Sequence, residues 1–238
     1  MVWMCFAAVC AYFVKGLCGF ANTLVFTSIL SFGTDNVKIS PVDLLLGYPA
    51  NLILGWRNRA ALNWRVWAPL AVLVLLGNIP GIFLLKMAGA AQIKILFGAV
   101  IIGLGAEMLW RERAAAATAK TNKAVLAVIG ILSGFLCGLY GIGALLAAYV
   151  SRVTTDSAAF KANISMVFAV ENTFRILLYT VTGILTLEIA GQALLLYPAM
   201  LVGLFAGMAG TRFLKEKTVK HIVILLLIVS GFALILTR

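Results

Sequence analysis

Eight apolar stretches, separated by gaps of no more than 13 residues, fill nearly the whole of this 238-residue chain. They lie at about 2–33, 41–57, 65–86, 93–110, 124–152, 160–182, 190–211 and 218–237. A helix crossing the hydrocarbon core of a bilayer needs about 20 mostly apolar residues, and a re-entrant half-span roughly 10–14. In hydrocarbon every backbone N–H and C=O must find a partner within the chain, which makes such segments helices. The pattern predicts an all-α, polytopic membrane protein of about eight hydrophobic segments, forming a single membrane domain over 1–238. Composition agrees. Apolar residues make up 63% of the chain and charged ones 11%, whereas a soluble domain carries about 25% charged residues to wet its surface.

The formal charge of +11 does not mark a nucleic-acid partner, because most of the 19 Lys and Arg lie in short gaps between apolar runs rather than along one face. That placement is the positive-inside pattern of membrane loops, and the bilayer is the expected partner. Cys5, Cys10, Cys18 and Cys137 all fall within apolar segments, with neither the close-pair spacing of a metal site nor a disulfide framework. They read as small buried residues, and no cofactor is expected. The run from Val2 to Val14 has no basic residue before it, unlike a cleaved signal peptide, so it is expected to stay in the mature protein.

The first and fifth apolar stretches are too long for one ordinary span, and each carries glycines near its middle. Gly16-Leu17-Cys18-Gly19-Phe20-Ala21 aligns on Gly138-Leu139-Tyr140-Gly141-Ile142-Gly143 at an offset of 122. Further on, Gly77 and Gly81 align on Gly203 and Gly207 at an offset of 126, as do Lys94 on Lys220 and Gly105 on Gly231. Asn51 and Asn172 match at 121. Two halves follow, about 3–113 and 124–238, joined by the polar linker 111–123. Internal repeats of this size are a mark of secondary transporters.

Charge counting orients the halves. If the two long stretches are hairpins that enter and leave on one side, the loops at 57–65, 111–123, 152–161 and 212–221 share that side with 13 Lys and Arg. The other side keeps 4, while Lys15 and Arg175 lie inside the membrane. If both stretches cross fully, the split is 8 against 9, with no bias at all. The positive-inside rule selects the hairpins, which makes the halves inverted repeats.

A glycine cluster at membrane depth breaks a helix, and non-helical backbone there is tolerated only when buried in protein or lining an aqueous cavity. The half-helix that restarts offers free N–H groups and the positive end of its dipole, which suit an anion. Gly16 and Gly19, with Gly138, Gly141 and Gly143, would set two such tips near the midplane. Close helix packing is the alternative use of these glycines. Lys15 directly precedes the first tip, with 14 uncharged residues before it and 19 after. A cation this deep needs a polar cavity or a partner acid, or it snorkels. Asn22 and, more weakly, Thr23 follow the tip. Glu171 and Arg175 share a helix face at i,i+4, either as an internal ion pair or as an anion contact with a charge-tuning or proton-accepting neighbour. Asn51 and Asn172 complete the candidate substrate-binding set. Asp43 reads as a first-turn acid of its helix, and His221 as an interfacial residue.

A glycine-rich segment opening each half, a Gly-x-x-x-Gly segment late in each, and a basic central linker together resemble the sulfite exporter TauE/SafE family, over essentially the whole chain. Ala21 and Asn22 stand where that family typically has glycine. The resemblance implies a multi-pass protein of a bacterial inner membrane exporting sulfite, thiosulfate or small organosulfonates, with importers and other small anions among related proteins. An enzyme is disfavoured by a single histidine and the lack of a nucleophile elbow. A structural or assembly subunit would not need polar residues in its spans. A homo-oligomer is compatible with the sequence.

Overall fold

The computed structural model describes residues 1–30, 36–87, 123–140, 143–154 and 156–211, with isolated positions from 99 to 110 and from 213 to 232. Regular structure among the described residues is entirely helical. The order is α1 (Val2–Cys18), α2 (Asn22–Leu30), α3 (Asn36–Arg57), a 3-10 turn (Arg59–Ala61), α4 (Trp64–Met87), α5 (Lys123–Tyr140), α6 (Ala144–Val153), α7 (Ser157–Val181) and α8 (Leu187–Gly210). Stretches 93–110 and 218–237 are helical at every described position. Gly141 and, apart from Lys123, the linker lie outside the described residues.

Trp64–Gly81 of α4, with all of α7 and α8, are long and apolar enough to cross a membrane, while α1 and Leu126–Gly138 of α5 are shorter apolar helices. Leu52, Leu76, Leu132, Leu177 and Phe205, one from each of five helices, remain exposed, as surfaces facing lipid do. At the turn after α3, the guanidinium of Arg59 lies 4.5 Å over the Trp56 ring and that of Arg65 lies 5.7 Å over Trp64. Arg and Trp together are the composition of a membrane–water interface.

Both overlong stretches break where glycines interrupt them. The chain leaves α1 through Gly19 in the left-handed conformation (φ 89°), whose N–H caps the Lys15 carbonyl at 2.6 Å. It restarts as α2 after Ala21, also left-handed at φ 72°, a conformation that strains a residue with a Cβ. The Trp3 indole then donates to the Ile29 carbonyl at 3.3 Å, so α2 runs back alongside α1.

α1 packs on α8, the helix of Gly203 and Gly207, and α5 packs on α4, the helix of Gly77 and Gly81. A side chain at Gly203 would strike the Val9 carbonyl, and one at Gly207 the Phe13 carbonyl; at Gly77 and Gly81 the obstructions are the Ile131 and Phe135 carbonyls. Val9 and Ile131, like Phe13 and Phe135, are 122 apart, the same offset that relates the two glycine tips. A Cβ on Gly207 would lie 3.0 Å from the Gly16 Cα, and one on Gly81 3.2 Å from the Gly138 Cα. Without a hydrophobic drive between helices in lipid, such close backbone approach is what holds spans together.

Two expectations are corrected. The third helix starts at Asn36 rather than 41, so Asp43 sits two turns inside it and is 2% exposed. Lys161 is not a loop cation: α7 begins at Ser157, and Lys161 is buried with its ammonium 3.4 Å from the Gly16 carbonyl. Removing it from the loop count leaves 12 cations against 4.

Candidate functional site

The restart points of both broken stretches meet α3 and α7 around one cavity of about 30 Å³. Lys15 reaches it from the end of α1, Asn22 and Thr23 from the start of α2, Asp43 and Asn51 from α3, Gly143 from the start of α6, and Glu171, Asn172 and Arg175 from α7. The first N–H groups of α2 and α6 have no acceptor within their own helices, and the positive dipole ends of both face this space.

One polar cluster is built on Asp43. The Tyr12 hydroxyl donates to Asp43 Oδ1 at 2.9 Å, the Asn22 amide donates to both carboxylate oxygens at 3.0 and 3.2 Å, and the Thr23 hydroxyl donates to Oδ2. Lys15 Nζ in turn donates to Asn22 Oδ1 at 2.8 Å and lies 5.7 Å over the Phe168 ring. Lys15 is therefore buried rather than snorkelling, and among the described residues it contacts no acid directly. Its charge is linked to Asp43 through one amide, which donates with one end and accepts with the other.

The second cluster is built on Glu171. Asn78 donates to Glu171 Oε1 at 2.8 Å, and Arg175 Nε lies 3.6 Å from the same oxygen. Arg175 Nη1 donates to the Cys137 carbonyl at 2.6 Å, near the C-terminal end of α5, where the helix dipole favours a cation. The internal ion pair is thus present, and Arg175 lines the cavity as well.

Lys15, Asn22, Asn51, Gly143, Glu171, Asn172 and Arg175 come together from the sequence-derived set. Gly16, Gly19 and Gly138 are not in the wall. Gly16 and Gly138 sit inside helices against Gly207 and Gly81, the packing alternative, and Gly19 is the left-handed cap. Sequence reasoning missed Tyr12, Asn78, Phe168 and the role of Asp43. An acid inside an apolar segment is itself a signal of a site; starting the segment at 41 placed Asp43 at its edge and hid that signal.

Spanning helices, two broken segments and a charged cavity buried between them define a membrane transporter. The family profile described as "Sulfite exporter TauE/SafE" matches residues 4–234, and the chain belongs to that family. No curated protein and no solved structure matches the chain. Membership in a transporter family agrees with the reading that the chain is not an enzyme.

Proposed function

We propose that this protein exports a small sulfur oxyanion, sulfite before larger sulfonates, across a bacterial inner membrane by alternating access around the cavity. The observation that carries this reading is the convergence of Lys15 and Asn22 from the first broken segment, Gly143 from the second, and Asn51, Asn172 and Arg175 from α3 and α7 on one buried space. Cations, amides and helix N-termini are the donors an oxyanion needs. The small volume favours an inorganic anion over an organosulfonate with a long tail. Negative membrane potential drives an anion outward, at about 2.3 kcal/mol per charge per 100 mV.

The scaffold for this motion is a pair of inverted repeats, about 3–113 and 124–238, each opened by a re-entrant hairpin. Supporting it, the Asn63 N–H donates to Asn163 Oδ1 at 3.0 Å, which puts the turn after α3 and the start of α7 at one end of the bundle. Full crossing by both long stretches would put them at opposite ends. The reciprocal glycine contacts fit two halves that rock on each other.

The test is counterflow in proteoliposomes with sulfite, thiosulfate, taurine and sulfate, and thermal stabilisation of the purified protein by each. Sulfite should exchange and stabilise. A protein that neither moves nor is stabilised by any sulfur anion would refute the assignment.

A further inference from the structure

Four charged side chains line the cavity, Lys15 and Arg175 against Asp43 and Glu171, so the wall is balanced before anything binds. Lys161 lies outside that wall, at the Gly16 carbonyl. An entering anion therefore adds uncompensated negative charge to a buried space, which is costly at low dielectric. A proton taken up by a wall carboxylate removes one unit of that excess.

Geometry separates the two carboxylates. Both oxygens of Asp43 are taken by donors, Oδ1 by Tyr12 and Asn22 and Oδ2 by Asn22 and Thr23, which fills the lone-pair sites of a carboxylate. The Asn22 amide cannot turn to offer its oxygen instead, because the Lys15 ammonium holds that oxygen at 2.8 Å and an ammonium only donates. Glu171 is open on one side. Its partners, Asn78 at 2.8 Å and Arg175 Nε at 3.6 Å, both sit at Oε1. Oε2 takes no hydrogen bond among the described residues and is not one of the fully covered, unpartnered side-chain atoms, so it keeps surface in the wall that Glu171 helps to form. A proton on Oε2 leaves the Asn78 bond to Oε1 intact and turns a repelling group into a donor for an oxyanion.

We infer that Glu171 takes up a proton when the anion binds, and that anion and proton cross the membrane together. The proton enters on Oε2 and its O–H donates to the anion, while Arg175, released from the carboxylate charge, answers the anion instead. This rests on the sulfur-oxyanion reading above. The net charge moved per turnover is then one less than that of the anion, so a dianion keeps one charge on which the membrane potential acts.

The titratable and charged groups facing Glu171 are Arg175 and, beyond it, Tyr179 on α7, Cys137 on α5, Lys15 and Tyr12 on α1, and Asp43 on α3, while α4 presents the neutral Asn78. Two measurements on the intact protein isolate Glu171 among them. Isothermal titration with thiosulfate and sulfite, in buffers of different ionisation heat, counts the protons taken up. Infrared difference spectra with and without the anion show whether a carboxyl becomes protonated, and glutamate labelled with heavy carbon at its side-chain carboxyl assigns the band without altering any charge. Thiosulfate keeps its own charge across the neutral pH range.

Wild type should take up about one proton per thiosulfate, and its affinity should fall by up to about tenfold per pH unit, because the bound state holds one more proton than the free one. A protonated-carboxyl band should appear on binding and shift with the labelled glutamate. Glu171→Gln should lose the proton uptake and the band; the wild-type series stands even if that variant does not fold. Anion binding without proton uptake would overturn the inference and leave the sulfur-anion reading intact. So would affinity that is flat or rises with pH for thiosulfate, a band that shifts with labelled aspartate instead, or undiminished uptake in Glu171→Gln. Absence of binding by every sulfur anion at every pH would overturn both.

Discussion

Replacing Lys15 with methionine should destabilise the protein, and neutralising Asp43 in the same chain should recover part of the loss. Lys15 is 1% exposed and donates to Asn22, whose amide donates to Asp43. Removing the ammonium strands Asn22 Oδ1 and takes away the cation nearest to the Asp43 cluster. Breaking a buried pair by deleting one partner costs about 3–5 kcal/mol. Here Asp43 keeps donors from Tyr12, Asn22 and Thr23, so the loss should fall at or below the bottom of that range, about 2–3 kcal/mol. Lys15→Met with Asp43→Asn removes one charge of each sign and should lose less than the two single variants summed, with a coupling of about 1–2 kcal/mol. Equilibrium unfolding of the four proteins in mixed micelles measures it. Additive losses would refute the link through Asn22. Anion binding gives a second readout: both Lys15 variants should lose sulfite affinity about ten- to a hundredfold, because the lost donor faces the cavity whatever Asp43 does.

Arg175→Ala should be less stable than Arg175→Lys by about 1–3 kcal/mol, since alanine removes both the Glu171 ion pair and the bond from Nη1 to the Cys137 carbonyl; thermal unfolding ranks the two. Ala21→Gly should stabilise by about 1 kcal/mol by relieving the left-handed strain at φ 72°, a gain readable as a raised Tm, and no gain would place the strain elsewhere. Gly47→Ala should leave folding intact, because a Cβ there would lie 3.5 Å from Asn22 Nδ2 and 3.6 Å from both Asn172 Nδ2 and the Tyr12 hydroxyl, yet it should weaken anion binding by narrowing the cavity. Cysteines placed at Asn58 and Thr154 should react with an impermeant thiol reagent from the cytoplasmic face and one at Ile184 from the opposite face; labelling of Asn58 and Thr154 from opposite faces would end the re-entrant hairpin arrangement.

The helical class, the two breaks and most of the polar residues in the cavity wall were legible in the sequence because each leaves a local mark. Apolar length marks a span, mid-span glycines mark a break, and an isolated Lys15 or Arg175 marks a polar site inside the membrane. What was not legible depends on contacts between residues far apart in the chain. Glycine at position 16 serves packing rather than the cavity because Leu204 and Gly207 of α8 press on it, and nothing near residue 16 announces that. Asp43 became a site residue through Tyr12 and Asn22, which are 31 and 21 positions away. Lys161 looked like a loop cation because the apolar stretch begins only at 160, whereas α7 starts three residues earlier behind an Asp156 cap.

The two proposed halves share their packing glycines but not their charged residues, and the mismatch has a physical reason. The positions 122 residues after Lys15 and Asn22 hold Cys137 and Ala144, and 121 after Asp43 stands Ile164. In reverse, Glu171 and Arg175 fall on Ala50 and Leu54, and Asn78 falls on Leu204 at the offset of 126. Packing glycines must recur because each half needs its own close contact with the other. A cavity shared by the halves exists once. Repeating both clusters in both halves would bury four cations and four carboxylates around a space of about 30 Å³, each with a desolvation penalty of several kcal/mol. Of the cavity polar groups, only the Asn51 and Asn172 pair is kept at both positions, and an uncharged amide carries no such penalty. One charged cluster per half around a common cavity is the arrangement in which duplication of the scaffold does not duplicate the cost of its charges.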